Sequence, residues 1–146
     1  MFLQTKGMLA GNEAGAKLAA IYQSGIDWVM EYYSRGAQNS MLKWRAETIC
    51  KPTMQQRLQA VEAMHELTAI SEELISYIAT RFCLYSGTVN YDDIISAGRV
   101  GLIQSLLYFD PESDLLSFFA VPYIQEAIFS FILEHMLGSA RFAVDA

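Results

Sequence analysis

The spacing of the apolar residues limits this chain to helices. Ile95, Gly98, Leu102, Leu106 and Phe109 follow one another at intervals of three and four, with Ile94 beside them. That interval keeps side chains on one face of a helix and scatters them in a strand. From about 118 to 137 the chain is apolar on most sides, with Val121, Tyr123, Ile124, Ala127, Ile128, Phe131 and Ile132. Such a helix belongs in the middle of a core. No strand alternation of useful length and no fixed-period repeat interrupts the pattern. With 53% hydrophobic residues over 146 positions, the expectation is one all-α compact helical bundle. It divides into N-terminal helices (1–70), a core (71–138) and a short tail (139–146).

Local signals refine this. Asn12 reads as an N-cap for a helix over 13–34, stopped by Gly36. Leu18, Ile21, Tyr22, Val29, Tyr32 and Tyr33 form its stripe, and Gly25 lies on that face where another helix can come close. A short helix over 41–50 would turn Met41, Leu42, Trp44 and Ile49 inward. Leu58, Val61, Met64 and Leu67, then Leu74, Ile75, Ile78 and Phe82, continue the helical spacing over 53–84, as one helix or as two divided at Ser71. Ser86, Gly87 and Asn90 mark a turn, Asp92 and Asp93 begin a helix, and Asp110-Pro111 ends it. Pro122 is expected to delay or kink the last helix, and Gly138 to stop it.

Charge and reactive residues exclude several functions. Residues 1–90 hold eight basic and eight acidic side chains, whereas residues 91–146 hold only Arg99 and Arg141 against eight carboxylates. The whole net charge of −6 therefore lies in the last third, the reverse of a nucleic-acid binder. Cys50 and Cys83 match no redox or metal spacing, and His65 and His135 stand alone, so no metal and no cofactor is expected. There is no glycine-rich phosphate loop and no nucleophile motif, and the adjacent Asp92 and Asp93 diverge on a helix, so no catalytic residue is assigned. The first twelve residues lack a signal peptide's apolar stretch, and the run from Ala127 to Leu133 is broken by Ser130. The expectation is a cytoplasmic protein with no membrane segment.

One stretch goes further. Residues 91–132 read YDDIISAGRVGLIQSLLYFDPESDLLSFFAVPYIQEAIFSFI. Asp93, Ile94, Ile95, Gly98, Val100, Gly101 and Leu102 form a first block, Phe109-Asp110-Pro111 a second, and Ser117, Phe119, Ala120, Ile124, Ala127 and Ile128 a third. In order and spacing this resembles the conserved second region of bacterial RNA polymerase sigma factors, nearest the flagellar and sporulation branches. The resemblance covers about Leu74 to Leu137 and would make the chain a stand-alone second region. Upstream, GNEAGAKLAAIYQSGIDWVMEYY echoes the start of small sigma factors, and a generic amphipathic helix explains it as well.

The resemblance implies a role in transcription initiation. Asp92, Asp93, Ser96, Arg99 and Gln104 would bind the polymerase clamp in the beta-prime subunit, and Phe119, Tyr123 and Gln125 would meet the promoter −10 element. There, aromatic rings stack on unpaired bases and cations hold phosphates. Here Pro122 replaces an aromatic, Gln125 an arginine, and Phe129 and Ser130 polar and basic residues; Ser96, Ala97 and Arg99 replace glutamine, glutamate and asparagine. Two readings follow: a sigma-like initiation protein that contributes to −10 recognition, or a degenerate sigma-like interaction module. The module would bind an anti-sigma factor or the clamp and leave DNA alone. With so few cations, duplex DNA binding at physiological salt is expected to be undetectable in a gel shift at nanomolar protein; a shift with a steep salt slope would refute this.

Overall fold

The computed structural model describes the backbone of residues 2–36, 38–83, 87 and 89–145, and the side chains of those between 13 and 138. Seven helices and no strand occur among the described residues: α1 (Phe2–Ser24), α2 (Trp28–Ser34), α3 (Ser40–Thr48), α4 (Met54–Ile70), α5 (Glu72–Cys83), α6 (Tyr91–Ser105) and α7 (Leu116–Asp145). The expected all-helical bundle is the observed fold. Its main core gathers Ile75, Ile78, Ile94, Leu102, Leu106, Phe109, Ile124 and Ile128, joined by Ala19 and Leu67 from the N-terminal half. Ile95 and Ile132 are buried with them, whereas Val121, Tyr123, Ala127 and Phe131 are only partly buried. A smaller cluster of Ile26, Trp28, Leu42 and Leu107 joins α2 and α3 to the end of α6.

The N-terminal half departs from the sequence reading in three ways. The expected 13–34 helix is two. α1 begins at Phe2, so Asn12 lies inside it, and the chain breaks after Ser24, where the Asp27 side chain accepts from Met30 N at 3.3 Å and starts α2. The break lies at a close approach: a Cβ on Gly25 would lie 2.3 Å from Ala60 Cβ and 2.5 Å from the Gln56 carbonyl. Gly25 does admit a close helix, as its position indicates, but from a turn. The Asn12 side chain and Ser86 lie outside the described side chains and residues.

Second, α3 turns only Leu42 inward of its four assigned residues; Met41, Trp44 and Ile49 are exposed and Arg45 is buried in their place. Third, α4 buries Ala60, Ala63 and Leu67 and leaves Leu58 and Val61 exposed. α1 and α4 pack on small residues, and closeness of backbones, not side-chain volume, decides which face turns in. Of the expected 53–84 stretch, Met54–Ile70 and Glu72–Cys83 are two helices, separated by the buried Ser71, and Leu84 lies outside the described residues. Thr53 opens the first through a reciprocal pair with Gln56: Gln56 N donates to Thr53 Oγ1 at 3.2 Å and Thr53 N to Gln56 Oε1 at 2.9 Å.

Arg45 has a structural reason to be inside. After α6 the chain tightens through Leu106 to Tyr108 and presents carbonyls at the negative end of the helix dipole. Gln23 Nε2 donates to the Leu106 carbonyl at 2.8 Å and the Phe109 carbonyl at 2.6 Å. Arg45 donates through Nη1 to the Leu107 carbonyl and through Nη2 to the Phe109 carbonyl at 3.2 Å. Its guanidinium also lies 4.6 Å from the centre of the Trp28 ring. Burial lowers the Arg45 pKa, and the nearby Asp110 carboxylate opposes that. α1 and α3 thus hold the corner between α6 and α7.

α7 lies against α6 at backbone distance. A Cβ on Gly101 would stand 2.5 Å from the Tyr123 carbonyl and 2.9 Å from both Ile124 Cα and Ala127 Cβ. α7 also corrects two expectations. It starts six residues before Pro122 and runs through Gly138 to Asp145, so the proline does not delay it, the glycine does not stop it, and the 139–145 backbone is helix and not a tail. Pro122 and Phe118 are exposed, so the Phe118 carbonyl, deprived of its donor, can be met by water. Continuous apolar runs are short here, yet Leu116–Gly138 as a whole is long and apolar enough to cross a membrane by length and composition. Its inner face, Ala120, Ile124, Ile128 and Ile132, is buried in the bundle.

Gly101→Ala is expected to cost about 1–3 kcal/mol, because its Cβ meets backbone that cannot yield without moving α7. Arg45→Met, which leaves the Leu107 carbonyl without its partner, is expected to cost about 2–3 kcal/mol. Urea unfolding of both variants checks these values; wild-type stability in either would refute the corresponding contact.

Candidate functional site

The polar face of α6 begins at a well-formed cap. The Asn90 side chain accepts from Asp92 N at 2.9 Å, so Asn90, and not the two aspartates, starts the helix. Asp92 and Asp93 follow in the first turn, where the dipole favours their charge. Asp92, Asp93, Ser96, Arg99 and Gln104 are all exposed, but they do not form one surface. Ser96 donates its hydroxyl to the Asp92 carbonyl at 3.0 Å. Arg99 reaches α5 and pairs with Glu72, Nη2 to Oε1 at 2.8 Å. Gln104 turns toward α7 and lines a groove with Ala97, Val100 and Tyr123. Asp92, Ser96 and Arg99 thus lie along the α5 side, and Gln104 along the α7 side.

That groove, about 540 Å³, runs between α6 and α7. Ala97, Val100 and Ala127 line it together with the charged Glu126, Glu134 and Arg35. One end is closed by aromatic rings. Tyr108 stacks on Tyr123 with centroids 6.0 Å apart, Tyr123 on Phe119 at 5.5 Å, and Phe119 tilts against Phe109 at 5.6 Å. Desolvation, with Tyr108 and Glu126 adding to it, raises the Tyr123 phenol above its usual 10.0.

The three residues assigned to DNA are separated by this packing. Phe119 is half-buried against the core, Tyr123 is half-buried in the aromatic row, and Gln125 is exposed on another side of α7. The two rings already stack on protein rings. No lysine or arginine occurs between Leu116 and Gly138 to hold a phosphate beside them. Among the described residues no group of three His, Cys, Asp or Glu side chains is placed to hold a metal.

Asp110 shapes the loop before α7. Its carboxylate accepts from Ser113 Oγ at 2.7 Å and Glu112 N at 3.0 Å, while Asp110 N donates to Asp114 Oδ2 at 3.1 Å. These bonds, the Ser113 hydroxyl foremost, hold its pKa below 3.8. Because the folded value is the lower one, its contribution to stability is present above the unfolded pKa and is lost as pH falls through the folded value.

Comparison with known protein families finds no match, and no curated protein is detectably similar to the chain. The sigma-like motif blocks therefore stand on their own residues. Sequence reasoning missed Glu72 as the partner of Arg99, Tyr108 as part of the aromatic row, and Gln23 with Arg45 as the clamp on the corner. The pair joins α5 to α6 and the aromatic row joins the end of α6 to α7, contacts that spacing within one helix does not signal, and the clamp joins residues more than sixty positions apart.

Arg99→Glu is expected to lower stability by less than ~1 kcal/mol, since the pair with Glu72 is solvent-exposed and screened. The double swap Glu72→Arg with Arg99→Glu should recover most of that loss. A thermal melt in which the swap is no better than the single variant would show that the pair contributes nothing.

Proposed function

We propose that this chain is a degenerate sigma-like interaction module. It acts in transcription in the cytoplasm, by binding the RNA polymerase clamp or an anti-sigma factor, and does not open promoter DNA itself. It is a binding protein and not an enzyme. The observation that carries this reading is the contrast between two helices. α6 offers exposed polar side chains on a rigid helix braced from both flanks, whereas α7 has no lysine or arginine between Leu116 and Gly138 and keeps Phe119 and Tyr123 stacked within the protein. Polar groups on a fixed helix provide register and specificity toward a protein partner. Base capture needs free ring faces and phosphate-binding cations.

The clamp is the partner that the motif register favours, and an anti-sigma factor is the other. −10 recognition, which the resemblance also implies, is supported by the family-like positions of Phe119 and Tyr123 alone.

Calorimetry with a purified clamp fragment tests the reading. Wild type is expected to bind; Asp93→Ala and Arg99→Glu, both at exposed positions, are each expected to weaken binding by roughly tenfold or more, equivalent to about 1.4 kcal/mol. Equal affinity for all three would remove α6 from the interface. No binding by wild type, with capture of an anti-sigma factor instead, would move the module to that partner.

A further inference from the structure

The groove between α6 and α7 is unbalanced in charge. Ala97, Val100 and Gln104 line it from α6, at intervals of three and four, and bring no ionisable group. Glu126, Ser130 and Glu134 line it from α7, at intervals of four, which keeps them on one face. The two glutamates are therefore two turns apart, about 12 Å along the helix axis. Both are exposed, and neither joins an ion pair among the described residues.

The chain's own cations do not answer them. Arg35 lines the groove, but it is paired with Glu31, Nε to Oε2 at 3.3 Å. Arg99 lies on the other side of α6 and is held by Glu72 at 2.8 Å. The countercharge for Glu126 and Glu134 has to come from another molecule. The same carboxylates repel phosphate, so neither a nucleic acid nor an anionic bilayer suits the groove.

The lining also has an apolar part that a small cation would leave wet. Val100 is 56% exposed, and Ala97, Ala127 and Phe131 are partly buried beside it. Two packed helices offer a third helix a lengthwise seat, in which apolar side chains interdigitate and flanking charges set the register. We infer that this groove seats an amphipathic basic helix of a partner protein. Its apolar side covers Val100 and Phe131, and two of its lysines or arginines, about eight residues apart, reach Glu126 and Glu134. Complementary charge of this kind selects the partner and fixes its position along the groove. The inference stands apart from the reading of Asp92, Ser96 and Arg99, which lie on the α5 side of α6, so either can fail without the other.

Titration of the purified full chain with a synthetic peptide, followed by amide NMR, tests it. The peptide is an alanine-leucine helix with two arginines about eight residues apart; its control has glutamates at those places. Wild type should bind the arginine peptide, with shifts at Ala97, Val100, Ala127 and Ser130, and should ignore the control. Glu126→Lys combined with Glu134→Lys, both at exposed positions, should weaken binding by about tenfold or more with helix content unchanged. Glu62→Lys combined with Glu66→Lys, exposed on α4, changes the net charge equally and should bind like wild type. No binding of the arginine peptide by wild type, equal binding of both peptides, shifts outside the groove, or an equal loss in the α4 double variant overturns the inference. Spermidine that binds as tightly as the peptide and shifts the same amides also overturns it, because the groove would then hold small cations and not a helix.

Discussion

Carbonyl groups at the end of α6 have to be satisfied inside the protein, and that need ties the two halves of the chain together. A helix ends with carbonyls that lack intrahelical donors, and burying them unpaired costs about 1–3 kcal/mol each. Here α6 ends in the core, with Leu106 and Phe109 fully buried. The donors come from far away in sequence: Gln23 at the end of α1 and Arg45 in α3. A guanidinium suits this place because it offers several donors in one plane and can lie on the Trp28 ring. The corner so fixed sets the direction in which the chain enters α7.

The second constraint is closeness. Gly101 lets the α7 backbone rest on α6, and Gly25 with Ala60 does the same for α1 and α4. Interfaces of this kind leave large side chains with nowhere to go but outward, which is why Leu58 and Val61 on α4, and Phe118 and Phe129 on α7, lie in solvent. An exposed apolar surface of that extent marks an interaction site more often than a free face. A bundle built on small residues thus has apolar surface left over for association.

The sequence was most readable where volume and period agree. In α6 and α7 one stripe of large residues, Ile94, Ile95, Leu102, Ile124, Ile128 and Ile132, is core, although Val100, Phe118 and Phe129 lie in solvent. It was least readable where small residues do the packing. Ala60 and Ala63 carry no size signal, so the stripe of Leu58 and Val61 looked like the inner one. Arg45 was hidden for another reason: a cation is expected outside, and its acceptors are created only by the fold. The site shows the same division. Exposure of Asp92, Asp93, Ser96, Arg99 and Gln104 was legible, because they fall between the core positions of α6. Their separation into two sides was not, because it depends on Glu72 in α5 and on the groove against α7. The stacking that occupies Phe119 and Tyr123 likewise required Tyr108 and Phe109 to come alongside.

Two helices therefore carry separate surfaces on one frame, polar on α6 and apolar on α7. The most direct measurement is site-specific photo-crosslinking in living cells, with a photoreactive residue at Ser96 in one variant and at Gln125 in another. Crosslinks from Ser96 to the polymerase clamp or to an anti-sigma factor, with none to DNA from either position, are expected. Crosslinks from Gln125 to promoter DNA, or none from Ser96 to any transcription protein, would contradict the assignment of α6 as the binding helix and of α7 as a surface that leaves DNA alone.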